Sequence, residues 1–122
     1  MAVEPETDVR TCARTFLARV TRELEEAAQR ADSLRAKARE AAQLFRGFGA
    51  TGVWLFGSLA WGEPHQGSDV DLLVEGVPET SWPDAVRAVE RLFTGTHVDA
   101  LRSEDSPRQL VDRVGAEGMR LT

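Results

Sequence analysis

The first part of the chain has an apolar residue at every third or fourth position, the spacing of one face of an α-helix. Residues 8–48 contain no proline and a single glycine, Gly47. The pattern therefore predicts a long helix, which would extend about 60 Å at 1.5 Å per residue. The apolar positions follow a seven-residue repeat: Leu17, Val20, Leu24, Ala27, Ala31, Leu34, Ala38, Ala41, Phe45 and Phe48.

The middle of this segment leaves an alternative open. Asp32 and Ser33 are residue types that often begin helices, so a hairpin of two helices is conceivable. The repeat passes through them without a change of phase, which favours one helix. Its apolar stripe is narrow, so we expect the helix either to lie on its own domain or to bind a second copy or another protein.

From residue 49 onward, short apolar runs alternate with a helical pattern. Two runs, residues 51–56 and 69–75, are typical of strands, and residues 97–101 predict a third. Ser81 is a candidate cap for a helix over residues 82–93, and a last helix opens at residues 106–107 and is expected to break at Gly115 and Gly118. We predict an α/β fold, a small mixed-sheet domain at residues 49–122, preceded by a helical segment at residues 1–48.

Composition narrows the class of protein. With 42% apolar and 29% charged residues and no apolar stretch near 20 residues, the chain is expected to be cytoplasmic and to have no membrane partner. Cys12, the only cysteine, excludes an intrachain disulfide and is predicted to be buried in the helix. A formal net charge of −5 makes nucleic acid an unlikely partner.

Two aspartates and a glycine–serine pair are the candidate chemical groups. Asp69 and Asp71 alternate along a predicted strand and so project from one face, where carboxylates can hold Mg²⁺ or Mn²⁺. The alternative is that Asp69 caps a turn and Asp71 is solvated. Gly57 and Ser58 end the preceding strand before a short helical segment, an arrangement that lets a phosphate approach the backbone.

The order Gly57–Ser58, ten residues, Asp69-x-Asp71 resembles the signature of the nucleotidyltransferase superfamily related to DNA polymerase beta. Gly62, the pair at residues 67–68 and the apolar context of the aspartates are also similar. The ending, residues 110–121, resembles the tail of the minimal nucleotidyltransferases (MNT) that are paired with HEPN toxins. The resemblance covers residues 52–121 and leaves out the long helix.

The resemblance implies a polymerase beta-like fold and a set of site residues. It places ATP phosphates near Gly57, Ser58 and Ser68. It implies two Mg²⁺ ions, with Mn²⁺ as the alternative, held by Asp69, Asp71 and a third carboxylate on a later strand. Asp99 falls where that third carboxylate is expected and would also take part in proton removal.

The implied reaction transfers AMP from ATP to a hydroxyl of a partner protein, the HEPN-type toxin, which makes the chain its antitoxin. The chain contains no tyrosine, so the acceptor is not a tyrosine of its own. Two other functions remain open at the level of sequence. One is transfer to a small molecule, as in aminoglycoside nucleotidyltransferases, and the other is a non-catalytic antitoxin or scaffold. His97 shares the Asp99 face and either lines the site or orients the end of the strand.

Overall fold

The structure, a computed structural model, describes residues 5–61 and 69–122, with the backbone alone for residues 5–8. Its contacts divide the chain into two compact units, Met1–Ser33 and Leu34–Thr122. Among the described residues, no helix is apolar over a length that would cross a membrane.

A single helix, α1 (Pro5–Gly47), accounts for the first part of the chain. The long helix predicted from the seven-residue repeat is confirmed, and the alternative hairpin at Asp32 and Ser33 is wrong. About the last four turns of α1 belong to the second unit, where Ala38, Ala41 and Phe45 are fully buried. That unit begins at Leu34, inside the helix, and the helix itself ends at Gly47.

Over residues 48–61 and 69–122, the structure describes four strands and three further α-helices. The strands form one mixed sheet in the order β3-β2-β1-β4, in which β1 is antiparallel to β2 and β4, and β2 is parallel to β3. The elements are β1 (Gly52–Phe56), α2 (Ser58–Trp61), β2 (Val70–Glu75), α3 (Trp82–Glu90), β3 (Val98–Arg102), a 3-10 turn (Ser103–Asp105), α4 (Arg108–Glu117) and β4 (Met119–Arg120). The predicted mixed α/β fold is confirmed.

One face of the sheet is formed by fully buried apolar side chains of β1 and β2. Val70, Leu72 and Val74 alternate along β2 and are fully buried, as are the β1 residues Val53 and Leu55. Because side chains alternate across a strand, Asp71 lies on the opposite face. The apolar face fixes the register, and the register in turn determines which polar side chains become neighbours on the other face.

Several local predictions differ from the structure. Helix α4 continues past Gly115 and ends before Gly118, because one glycine inside a helix lowers its stability without ending it. Ser81 precedes α3, but its side chain makes no capping hydrogen bond. Cys12 is exposed, so its predicted burial is wrong. In the described part of the first unit, residues 5–33, the chain forms one stretch of helix, with no second element there to cover Cys12.

Candidate active site

A left-handed turn joins β1 to α2. Gly57 adopts a φ of 75°, a conformation that is costly for residues with a β-carbon. Its carbonyl oxygen accepts hydrogen bonds from the N–H groups of Ala60 (3.1 Å) and Trp61 (2.9 Å), so the chain turns directly from the strand into the four-residue helix. Ser58, half-buried, is the first residue of that helix.

The side chain of Asp71 occupies the space beside this turn. A β-carbon built on Gly57 would collide with the Oδ2 atom of Asp71. The two elements meet here because Phe56, the last residue of β1, pairs with Asp71 in the antiparallel ladder. Glycine at position 57 thus satisfies both the backbone conformation and the close approach of a carboxylate.

Asp99 is the neighbour of Asp71 on the other side. The two residues are register partners in the parallel pair β2–β3, so their side chains leave the same face of adjacent strands. Asp71 is half-buried and Asp99 is exposed. Two carboxylates placed side by side in this way repel each other unless a cation lies between them.

Asp69 lies immediately before β2. Its N–H group and that of Val70 donate to the carbonyl oxygen of His97, at 3.0 and 3.2 Å. The Oδ2 atom of Asp69 accepts a hydrogen bond of 3.3 Å from the backbone N–H of His97. This exchange joins the start of β2 to the start of β3, and therefore ties Asp69 to the strand that carries Asp99.

His97 reaches the same group of residues. Its Nε2 atom is 3.4 Å from Oδ1 of Asp99, and both side chains are more than half exposed. The sequence placed His97 on the Asp99 face, and the contact distance adds that the imidazole can orient this carboxylate.

Helix α2 is fixed by contacts that the sequence did not reveal. Arg35, on α1 within the second unit, donates from Nε (3.2 Å) and Nη2 (3.0 Å) to the carbonyl oxygen of Leu59. On α4, the guanidinium of Arg113 lies 4.4 Å from the centre of the Trp61 ring. The Trp61 indole N–H donates to the carbonyl oxygen of Glu117 (3.1 Å). No motif marks these residues, because their partners are backbone atoms and a ring distant in sequence.

The carboxylates of this site supply only part of what a divalent cation needs. In the part of the chain that the structure describes, no three His, Cys, Asp or Glu side chains form a group that could hold a metal ion alone. Mg²⁺, however, is usually held by one or two carboxylates together with water and substrate phosphates. Asp71 and Asp99 supply adjacent carboxylates, and the missing side chain of Gly57 makes room for that of Asp71 beside the turn. The residues present fit a Mg²⁺ ion that is completed by the phosphates of a nucleotide.

The structure thus brings together Gly57, Asp71, Asp99 and, through His97, Asp69. Ser68 and the predicted motif glycine Gly62 lie outside the described residues. Gly57 and Ser58 follow the last residue of β1, at the end of the sheet where Asp71 and Asp99 lie near the start of their strands. The two motifs that are separate in sequence are therefore neighbours in the fold.

Comparison with known proteins identifies the class to which this fold and site belong. Residues 34–112 match the profile of the nucleotidyltransferase domain family, and the chain is a member of that family. The matched region begins where the second unit begins. No match was found among curated proteins.

Solved structures support the same assignment. A structure described as a minimal nucleotidyltransferase is 30% identical, with a TM-score of 0.62, and the match covers 73% of this chain and 93% of that one. A variant of the toxin–antitoxin MntA–HpeT is 18% identical (TM-score 0.55; 68% and 70% covered). A toxin–antitoxin with AMP-PNP is 20% identical (TM-score 0.55; 69% and 72% covered). The last two show likeness of fold.

Proposed function

We propose that this protein transfers AMP from ATP to a hydroxyl group of a partner protein, a HEPN-type toxin, and that it acts as the antitoxin of that pair. The observation that carries the proposal is the position of Asp71, beside Gly57 on one side and in register with Asp99 on the other. This arrangement gives one carboxylate access both to a phosphate-binding turn and to a second carboxylate.

The nucleotide would lie at the β1–α2 turn. Gly57 allows phosphate oxygens to approach the backbone, and Ser58 offers a hydroxyl donor. Asp69, Asp71 and Asp99 would hold two divalent cations, Mg²⁺ or Mn²⁺, together with the phosphates. When bound, these ions stabilise the negative charge that develops on the attacking and leaving oxygens.

The chain's own residues then orient the acceptor and move its proton. Asp99 is the more exposed carboxylate and faces solvent from which a partner's hydroxyl can approach. It would accept the hydroxyl proton as the oxygen attacks the α-phosphorus, while the bond to the bridging oxygen breaks and pyrophosphate leaves. His97, 3.4 Å from Asp99, would keep the carboxylate oriented toward the acceptor.

The proposed partner rests on the structural neighbours. Two proteins of the same fold were solved as toxin–antitoxin assemblies, one of them with AMP-PNP. An acceptor tyrosine, if that is the residue modified, must come from the partner, because this chain has none.

Intact-mass spectrometry tests the proposal directly. The purified chain is incubated with ATP, Mg²⁺ and the helical protein encoded next to it, and both proteins are weighed. We expect the partner to gain the mass of one AMP, and we expect Asp69→Asn to abolish the gain. Asp84→Asn, an exposed site on α3 that carries the same chemical change, should retain it.

Two results would count against the proposal. A wild-type reaction with no gain in mass, in the presence of a partner that nevertheless binds, would identify a non-catalytic antitoxin. A loss of transfer in Asp84→Asn equal to that in Asp69→Asn would show that the effect is not specific to the site.

A further inference from the structure

Strand β3 lies at one edge of the four-stranded sheet, so β2 is its single strand neighbour within the part of the chain that the structure describes. The two strands stay in register from Val98 to Arg102, without a bulge. No proline interrupts β3. An edge strand presents backbone N–H and C=O groups to which another extended chain can bind. The outer side of β3 is therefore a candidate interaction surface.

Alternate residues of β3 direct their backbone N–H and C=O groups away from the sheet. The carbonyl oxygen of His97 accepts a hydrogen bond from the N–H of Val70 on β2, at 3.2 Å, so the backbone of His97 faces β2. Successive residues of a strand turn these groups to opposite sides. Val98 and Ala100 therefore face outward, and Asp99, between them, pairs with β2 through its backbone.

The outward-facing part of this edge is short. The carbonyl oxygen of Arg102, the next in the alternation, accepts a hydrogen bond of 2.7 Å from Oγ of Ser106, and the chain turns at Ser103–Asp105. The outward groups of Val98 and Ala100 have no such partner within residues 5–61 and 69–122. The edge can therefore bind a short extended segment centred on residue 99.

The side chains along this edge connect it with the candidate active site. Asp99 and Leu101 leave the same face of β3, the face on which Asp71 lies on β2. Leu101 is 38% exposed, which is unusual for a leucine within a sheet. A carboxylate of the site, an outward-facing backbone and an exposed apolar side chain thus occur in three consecutive residues.

We propose that the acceptor protein binds by adding an extended segment to β3, antiparallel to it, with the hydroxyl residue opposite Asp99. The inference rests on the proposed function, because it states how the acceptor of that reaction is held. In an antiparallel pair, Val98 and Ala100 each exchange two hydrogen bonds with the segment, and the residue opposite Asp99 forms a non-hydrogen-bonded pair. Side chains are closest in such pairs, whose Cα atoms lie about 4.5 Å apart. The acceptor hydroxyl is thereby set beside the carboxylate that receives its proton.

The neighbours of Asp99 specify the rest of the segment. In this pairing, the residue two positions before the acceptor lies opposite Leu101 and is expected to be apolar. The residue two positions after it lies opposite His97, which lines a cleft of about 300 Å³ together with the exposed Glu90. A basic side chain suits that end, because opposite charges attract across a pair of strands.

A second copy of this chain fits the same edge poorly. If two antiparallel β3 strands paired so that Val98 and Ala100 were satisfied in both copies, Asp99 would lie directly opposite Asp99. Like charges in this position are destabilising. The charge at the centre of the edge therefore favours a segment whose central residue is uncharged, as a serine, threonine or tyrosine is.

Amide hydrogen exchange, resolved by residue with nuclear magnetic resonance, tests the pairing. In the chain without its partner, we expect fast exchange at Val98 and Ala100 and slow exchange at Asp99 and Leu101, which bond to β2. The chain is then mixed with the helical protein encoded next to it, Mg²⁺ and an ATP analogue with a methylene group between the α- and β-phosphorus, which cannot release pyrophosphate. Exchange at Val98 and Ala100 should slow about tenfold or more.

Substitutions on the edge provide an independent test. Ala100→Pro removes an outward N–H without taking a hydrogen bond from the sheet. It should keep the stabilisation by Mg²⁺ and the analogue, and raise the KM for the partner about tenfold. Leu101→Ser should also raise this KM and leave the KM for ATP unchanged. The matched control Leu44→Ser changes a leucine of α1 that is 36% exposed and should have no effect on either KM.

The results distinguish this inference from the proposed catalysis. AMP transfer in a complex that leaves Val98 and Ala100 exchanging fast would overturn the edge pairing and retain the reaction. Slowed exchange at both amides without transfer of AMP from ATP would support the pairing and contradict the reaction. Slowed exchange that depends on the concentration of this chain alone would indicate self-association and overturn the inference. Equal effects of Leu101→Ser and Leu44→Ser would overturn it as well.

Discussion

The carboxylate of Asp71 lies where the β-carbon of residue 57 would be if that residue were not Gly57. Position 57 therefore requires glycine for two reasons, the positive φ and the lack of space for a side chain, and only the second concerns the site. Gly95 has almost the same φ, 76°, but nothing lies within 4 Å of the position that its β-carbon would occupy. The chain thus contains its own control for separating backbone strain from loss of space.

Gly57→Ala and Gly95→Ala should destabilise the fold by similar amounts through the backbone, about 1–2 kcal/mol each. We expect Gly57→Ala alone to displace the Asp71 carboxylate and abolish transfer of the nucleotide. Thermal unfolding and the rate of AMP transfer, measured for both variants, test the difference. Equal residual activities would show that the close contact between Gly57 and Asp71 has no functional consequence.

The neighbouring carboxylates Asp71 and Asp99 lead to a prediction about metal ions. Removing one negative charge by Asp99→Asn should leave metal-free stability unchanged or raise it by about 0.2–1 kcal/mol, since like charges on adjacent strands repel. Wild-type protein should gain about 1.4 kcal/mol at a Mg²⁺ concentration ten times Kd. The variant should gain much less.

Thermal denaturation with and without Mg²⁺ in the presence of a non-hydrolysable ATP analogue measures both effects. Asp84→Asn provides the reference, because that aspartate is exposed on α3 and paired only loosely with Arg87, at 3.8 Å. Stabilisation of Asp99→Asn by Mg²⁺ to the wild-type extent would remove Asp99 from the proposed metal site.

The sequence predicted the elements that have a strong local pattern. The long helix and the first three strands follow from apolar periodicity. The predicted strand bounds differ from the observed ones by one residue: β1 begins at Gly52 and not at residue 51, and β2 begins at Val70 and not at residue 69. Strand β4 was missed because it consists of two residues, Met119 and Arg120, too short for any periodic pattern. Its assignment depends on pairing with β1, a contact that no local window contains.

The candidate site could be predicted only in part, because some of its contacts join residues that are distant in sequence. A motif reports residues that are close in sequence, such as Gly57–Ser58 and Asp69–Asp71. The register that makes Asp71 and Asp99 neighbours is decided by the apolar face of the sheet. Arg35 was invisible because its partner is a backbone carbonyl on α2, which carries no sequence signal.

Arg35 gives the next prediction. Its two hydrogen bonds to the carbonyl oxygen of Leu59 are charge-assisted and partly buried, so Arg35→Ala should cost roughly 1.5–3 kcal/mol of folding free energy. Arg35→Lys should recover only part of this, because an ammonium does not reproduce the planar guanidinium fork. Denaturant unfolding provides the measurement. The matched control Arg39→Ala, exposed one turn later on α1, should change stability by less than about 0.5 kcal/mol.

Two arginines on α4 offer a similar comparison on the other side of α2. Arg113 pairs with Glu117 (3.0 Å) and Arg108 with Asp112 (3.4 Å), both four residues apart and solvent-exposed, but only Arg113 covers the Trp61 ring. Arg108→Ala should cost at most about 0.5 kcal/mol. Arg113→Ala should cost about 0.5–1 kcal/mol more, through the lost cation–π contact.

Looser packing of Trp61 should also change the position of Ser58, three residues earlier, where α2 begins. Because that end of α2 is proposed to meet the ATP phosphates, Arg113→Ala should raise the KM for ATP more than it lowers kcat. Steady-state kinetics of both alanine variants separate this effect from general destabilisation. Unchanged KM values in Arg113→Ala, despite the expected loss of stability, would mean that the contacts of Trp61 hold α2 in the fold without positioning the nucleotide.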